Sequence, residues 1–135
     1  MLQKANSLTL PGLDEQQYLC LSDIHYHGNG AYSCSLKVRS SGFGCDKTFS
    51  FDNDEYFLAK LKELLLNKRG DAELMALQSD NYLKIQATDA DNLLITGLIQ
   101  EAHPLSQALE FAFTSHYHLI KRFVSDFSGL VKAQI

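Results

Sequence analysis

Cysteine is scarce in this sequence: Cys20, Cys34 and Cys45 stand far apart, with no C-x-x-C pair. An odd, scattered set is neither a disulfide framework nor a zinc knuckle. Each falls in a predicted strand, where a free cysteine acts as a small apolar residue. Long apolar runs are missing too. The opening MLQKANSLTLPGL lacks the run of about 7–15 apolar residues of a secretory signal, and no stretch approaches the roughly 20 of a membrane span. A cytoplasmic protein with no membrane partner is the expectation. Positive charge is not in excess either: 12 Lys and Arg face 16 Asp and Glu, a net charge of −4. No nucleic-acid partner is therefore expected. The local pairs Lys60 and Lys62, Lys68 and Arg69, and Lys121 and Arg122 read as solvated helix faces. There is no G-x-S-x-G elbow and no P-loop or G-x-G-x-x-G fingerprint. Internal repeats and low-complexity stretches are absent as well.

What is present is ordinary globular material. The 135 residues, 45% of them hydrophobic, suit one domain over 1–135 with a core of its own. Residues 1–17 read as a short strand or a loosely ordered arm, with Ser7-Leu8-Thr9-Leu10 before a Pro11-Gly12 turn. Strands are predicted over Tyr18–His27, Ala31–Arg39 and Phe43–Phe51. Gly28-Asn29-Gly30 and Ser40-Ser41-Gly42 reverse the chain between them. The middle strand alternates, with Tyr32, Cys34, Leu36 and Val38 on one face.

The period then changes. Phe57, Leu58, Leu61, Leu64 and Leu65 form one stripe, which predicts an amphipathic helix over Asn53–Arg69. Asp52 with Glu55 resembles a capping box, and Gly70 is placed to end the helix. Four further strands are predicted over Ala72–Leu77, Tyr82–Thr88, Leu93–Glu101 and Gln107–Ser115, with His103-Pro104 breaking the chain before the last. A second amphipathic helix carries Leu119, Ile120, Phe123, Val124, Phe127, Leu130 and Val131, capped by Thr114 or Ser115. The expected fold is α+β: a single antiparallel meander of about seven strands, βββ-α-ββββ-α, with both helices on one face. Such a sheet spans roughly 30 Å, more than two helices of about 10 Å each can cover. The uncovered area is expected to serve as an interface, a homodimer being the favoured use.

One constellation suggests chemistry. Asp23, His25 and His27 alternate along a strand, so all three should leave one face. An H-x-H pair with a carboxylate suits zinc or a similar divalent metal. His103, His116 and His118 are candidate further ligands, although His116 and His118, two apart, cannot share a helical face. The run Leu21-Ser22-Asp23-Ile24-His25 resembles the first metal-binding block of calcineurin-like metallophosphoesterases. That resemblance implies metal-dependent hydrolysis with Asp23 and His25 as ligands. The family's next block departs here, with Leu74 where Arg69-Gly70-Asp71-Ala72-Glu73 would need a second Asp.

From Tyr18 to Val131 the chain resembles small bacterial families that include the WapI-type immunity proteins. The shared features are Ser41-Gly42-Phe43-Gly44 leading into a strand, the helix Phe57-Leu58-Ala59-Lys60-Leu61-Lys62-Glu63-Leu64, later hairpins, Leu109-Glu110-Phe111-Ala112-Phe113 and the closing helix. The resemblance implies a β-rich accessory or immunity-like protein that docks a partner protein, with no catalytic residues and no cofactor. An acidic chain suits a basic partner, and Asp52, Asp54, Glu55, Asp89 and Asp91 are the acidic candidates. Two alternatives stand beside this reading. One is a small-molecule site lined by Phe43, Phe49, Phe111, Phe113 and Phe123 between sheet and helices. The other is a metal-dependent hydrolase built on Asp23, His25 and His27.

Overall fold

The computed structural model describes residues 7–40, 42–77, 79–100 and 108–134. The chain runs through β1 (Ser7–Pro11), β2 (Tyr18–Gly28), β3 (Ala31–Ser40), β4 (Phe43–Phe51) and α1 (Asp54–Asn67). It continues through β5 (Asp71–Met75), β6 (Tyr82–Ala87), β7 (Asn92–Gln100), β8 (Ala108–His116) and α2 (Tyr117–Lys132). Expectations on residues 2–6, Ser41, Glu101, His103, Pro104 and Gln107, and on the side chain of Phe43, lie outside the described residues.

The fold is α+β, but the single meander of about seven strands is corrected to two antiparallel sheets of four, β1-β2-β3-β4 and β5-β6-β7-β8. The reason is local. α1 stands between β4 and β5, so those two strands cannot be joined as a tight hairpin. They touch through one bridge, Phe51–Ala76, and through the Leu77 N–H, which donates to the Ser50 carbonyl at 2.8 Å. The additional strand is β1. Its Leu8 and Leu10 lie opposite Leu21 and Leu19 of β2 and all four are buried.

The sequence has no repeat, yet the architecture has one. Residues 7–67 and 71–132 each fold as a four-stranded meander followed by a helix. The helices are exchanged: α1 packs on β5 and α2 packs on β1. The closures match as well. Leu77 N–H donates to the Ser50 carbonyl, and Leu13 N–H donates to the Thr114 carbonyl at 2.8 Å. In both cases the donor lies two residues beyond one half's first strand and the acceptor lies near the end of the other half's last strand. Hydrophobic spacing repeats between the halves while residue identity does not, and spacing is what burial requires.

Both sheets turn their apolar faces to one shared core. Phe127 of α2 sits at its centre, 5.1 Å from the Phe57 ring of α1 and 6.2 Å from Phe51 of β4. Phe49, Phe111, Phe113 and Phe123 are buried members of this core. Gly97 has a packing role there. A Cβ on it would lie 2.5 Å from Phe111 Cε1 and 2.8 Å from the Tyr82 carbonyl oxygen.

The helix ends differ from expectation. Asn53, not Asp52, precedes α1, and its side chain makes no cap. Its amide instead donates to the Glu73 carbonyl at 2.9 Å and accepts from the Met75 N–H at 3.4 Å. One asparagine thus takes the place of a strand partner along the edge of β5 and ties the halves together. α1 stops at Lys68, which is itself left-handed with φ 56°, before Arg69 and Gly70. Neither Thr114 nor Ser115 caps α2. The preceding residue is His116, and Ser115 Oγ donates to the Pro11 carbonyl at 2.7 Å. No helix among the described residues is long and apolar enough to cross a membrane.

Candidate functional site

Three regions of the surface bear on function: the outer faces of the two sheets, the β2–β3 arm, and a cleft where the helix ends meet. Strand register decides what each outer face displays, because residues directly opposite one another share a face.

On the first sheet the rows read Ser7–Ser22–Ser35–Thr48 and Thr9–Cys20–Lys37–Asp46. A third row, Pro11–Tyr18–Arg39–Gly44, adds one aromatic ring and a cation at the end of a face that is otherwise small, polar and hydroxyl-rich. On the second sheet the rows read Asp71–Gln86–Leu94–Thr114, Glu73–Lys84–Thr96–Ala112 and Met75–Tyr82–Leu98–Glu110. Here apolar groups run across the strands. Met75 is 49% exposed, and Leu77 beside it is 37% exposed. Acidic groups flank them: Asp71, Glu73 and Glu110 share the face with one cation, Lys84, which pairs with Asp71 at 3.3 Å.

The β2–β3 arm holds the expected metal candidates. An extra residue enters β2 between Ser22 and His25, where Asp23 adopts a left-handed backbone, φ 48°. This bulge breaks the alternation that the sequence implied. Ile24 turns to the core. His25 lies opposite Ser33, and His27 Nε2 and Ser33 Oγ share a hydrogen bond of 2.6 Å. Asp23, His25 and His27 are all exposed. Among the described residues no group of three His, Cys, Asp or Glu is arranged to hold a metal ion. The cysteines are free thiols. Cys34 is buried, its Sγ–H directed at the Phe49 carbonyl, and burial pushes its thiol up to about 12.

The cleft was not legible as a unit. It holds about 520 Å³ and is walled by Leu65 and Lys68 at the end of α1, Asp91 in the β6–β7 turn, His116 at the end of β8, and Tyr117, His118 and Lys121 at the start of α2. His116 and His118 were expected to point apart. Instead their rings stack at 5.2 Å, because His116 is extended, with φ −118° and ψ 155°, and the helical rule does not apply to it. The His116 ring bonds the Asp91 carbonyl through Nδ1 at 3.0 Å. The Lys68 ammonium lies 4.9 Å from the centre of the Tyr117 ring, a cation–π contact. Tyr117 donates to the Asp89 carbonyl oxygen at 3.4 Å, and burial, then the Asp89 and Asp91 charges, push its phenol upward.

The acidic candidates have local work. The Asp89 carboxylate accepts from the Asn92 side-chain amide and from the N–H groups of Asp91 and Asn92. Those bonds, the Asn92 side chain first, hold it below the usual carboxylate value. Asp54 and Glu55 lie in the first turn of α1, and Asp52 lies one residue before Asn53, which precedes that helix. Comparison of the chain with protein-family models, curated proteins and solved structures finds no significant match.

Proposed function

We propose that this chain is a non-enzymatic, immunity-like binding module that docks a protein partner on the outer face of the second sheet. The partner's contact surface has an apolar centre ringed by Lys and Arg. The observation that carries this reading is the Met75–Tyr82–Leu98 row with Leu77 beside it, an apolar strip on a sheet face whose counterpart on the first sheet is hydroxyl-rich. An exposed apolar patch rimmed by polar residues marks interaction sites, and aromatic and Met side chains are enriched in interface cores. The flanking acids Asp71, Glu73 and Glu110 select the sign of the partner. Complementary charge speeds encounter and excludes wrong partners more than it adds affinity.

The test is reconstitution. Proteins retained from the native host are identified, purified and titrated against the chain by calorimetry. A partner with a basic contact surface is expected, binding at least tenfold more weakly to Leu98→Asp and unchanged by Ser35→Asp on the other sheet. Its association rate should fall with added salt. A complex that survives Leu98→Asp would sink the proposal, as would failure of every retained protein to bind the purified chain. A stable dimer of the chain that Leu98→Asp dissolves would put a second copy in the partner's place and overturn the reading.

A further inference from the structure

The cleft between the helix ends is separate from the outer face of the second sheet, and its chemistry is different. Lys68 arrives from α1, and His116, His118 and Lys121 arrive from the start of α2. Among the described residues neither lysine is in an ion pair. Two acids are near. Asp89 is committed to the N–H groups of its own turn. Asp91 lines the cleft, and the Asp89 carboxylate keeps its charge although it is bonded within its turn. The two lysines offset these two carboxylates, and a proton on either imidazole makes the cleft net positive.

The pseudo-equivalent helix start emphasises how unusual this is. α1 begins Asn53-Asp54-Glu55 and supplies its own carboxylates to the positive end of the helix, Asp54 being only 6% exposed. α2 begins after His116 with Tyr117-His118 and has no acid in its first turn. Lys68, the C-cap of α1, complements the negative end of that helix, whereas a cation in the first turn of α2 opposes the positive end there. Sequences break such a local rule mainly where function requires it. The volume, about 520 Å³, falls in the range of small-ligand sites and exceeds what a bare anion would fill. Leu65 adds an apolar wall.

We propose that this cleft binds a small molecule bearing a phosphate monoester, with Lys68, Lys121, His116 and His118 around the phosphoryl oxygens and the organic part against Leu65. A dianion matches several converging cations better than a carboxylate, which one lysine satisfies. The second ionisation of a phosphate monoester falls near pH 6, in the range where imidazole titrates. Binding and histidine charge are then coupled, in a setting that also holds Lys68, Lys121, Tyr117, Asp89 and Asp91.

Phenyl phosphate is the probe, with benzoate as the carboxylate arm and inorganic phosphate as the bare ion. The readout is the imidazole ring resonances of the intact protein. Phenyl phosphate should shift the His116 and His118 signals saturably, at least tenfold more tightly than benzoate and more tightly than inorganic phosphate. Affinity should drop at least tenfold in Lys121→Gln and in Lys68→Asn, which tolerates the left-handed backbone. Both sites are exposed, so unchanged thermal midpoints would confirm that the variants are folded. Any of three results overturns the assignment: no saturable shift at either histidine, benzoate binding as well as phenyl phosphate, or affinity unaltered in both lysine variants. If inorganic phosphate binds as tightly as phenyl phosphate, the organic part makes no contact and the monoester assignment fails.

Discussion

The outer face of the first sheet displays Ser22, Ser35, Thr48 and Lys37 where that of the second displays Tyr82, Leu94, Leu98 and Met75. The starts of the two helices differ as sharply, Asn53-Asp54-Glu55 against His116-Tyr117-His118. Buried positions follow the same plan in both halves: each has a meander whose inward residues are mostly Leu, Ile or Phe, with Tyr32, Cys34, Val38 and Ala72 among them, closed by a helix that crosses to the other half. The inward residues all answer one demand, the removal of apolar area from water. Outward residues are under no such demand, so differences there are where specialisation can be sought.

The largest expected effect tests whether the halves are one cooperative unit. Phe127 of the second half packs against the Phe51 and Phe57 rings of the first. Phe127→Ala should cost about 3–5 kcal/mol and leave a single urea transition. Two separated transitions would mean that the halves unfold independently and that the exchanged helices couple them weakly. Next comes Gly97→Ala. Its Cβ would press on the Phe111 ring and the Tyr82 carbonyl, and overpacking of this kind costs about 1–3 kcal/mol. Gly129 in α2 has open space around it, so Gly129→Ala should stabilise by about 0.5–1 kcal/mol. Equal signs for the two would contradict the packing described for β7 and β8.

An effect between those of the two glycines sharpens the link between halves. Asn53→Ala removes the amide that spans Glu73 and Met75 and should cost about 1–2 kcal/mol in chemical denaturation. Asn53→Asp should recover little of it, since a carboxylate cannot donate to the Glu73 carbonyl. The smallest effect depends on pH. Asp89 is held below its ordinary value, 3.8, by the Asn92 side-chain amide and then by backbone N–H groups. Its contribution is present above that value and lost as pH falls through the lower folded one. The stability gap between the native chain and Asp89→Asn should be widest above pH 3.8 and close as the solution is acidified. A gap independent of pH would mean that the turn draws nothing from the charge.

The strands and helices were legible wherever a period persisted. β3 alternates through Tyr32, Cys34, Leu36 and Val38, all buried, and α1 carries Phe57, Leu58, Leu61 and Leu64 inward. Helix caps were not legible, because Asn53 and Ser115 direct their side chains to distant backbone instead of the nearest helix end. The bulge at Asp23 was hidden for a similar reason. An Asp inside an apolar strand signals polarity, but a left-handed backbone there is settled by the register with β3. For the cleft, the sequence offered scattered cations and the spacing of His116 and His118. Lys68 and Lys121 become neighbours only when α1 and α2 pack together.

By itself the sequence determined the α+β class, the two amphipathic helices and the hairpin order, because periodicity and turn residues are local quantities. It also determined that no group of widely spaced cysteines would staple the chain. Tertiary structure decided the division into two sheets, the exchange of helices between halves, the apolar row of Met75, Tyr82 and Leu98, and the gathering of Lys68, His116, His118 and Lys121 around one cleft. Each of these depends on register or on contacts between residues far apart in the chain, and those are fixed only when the two halves close on a common core.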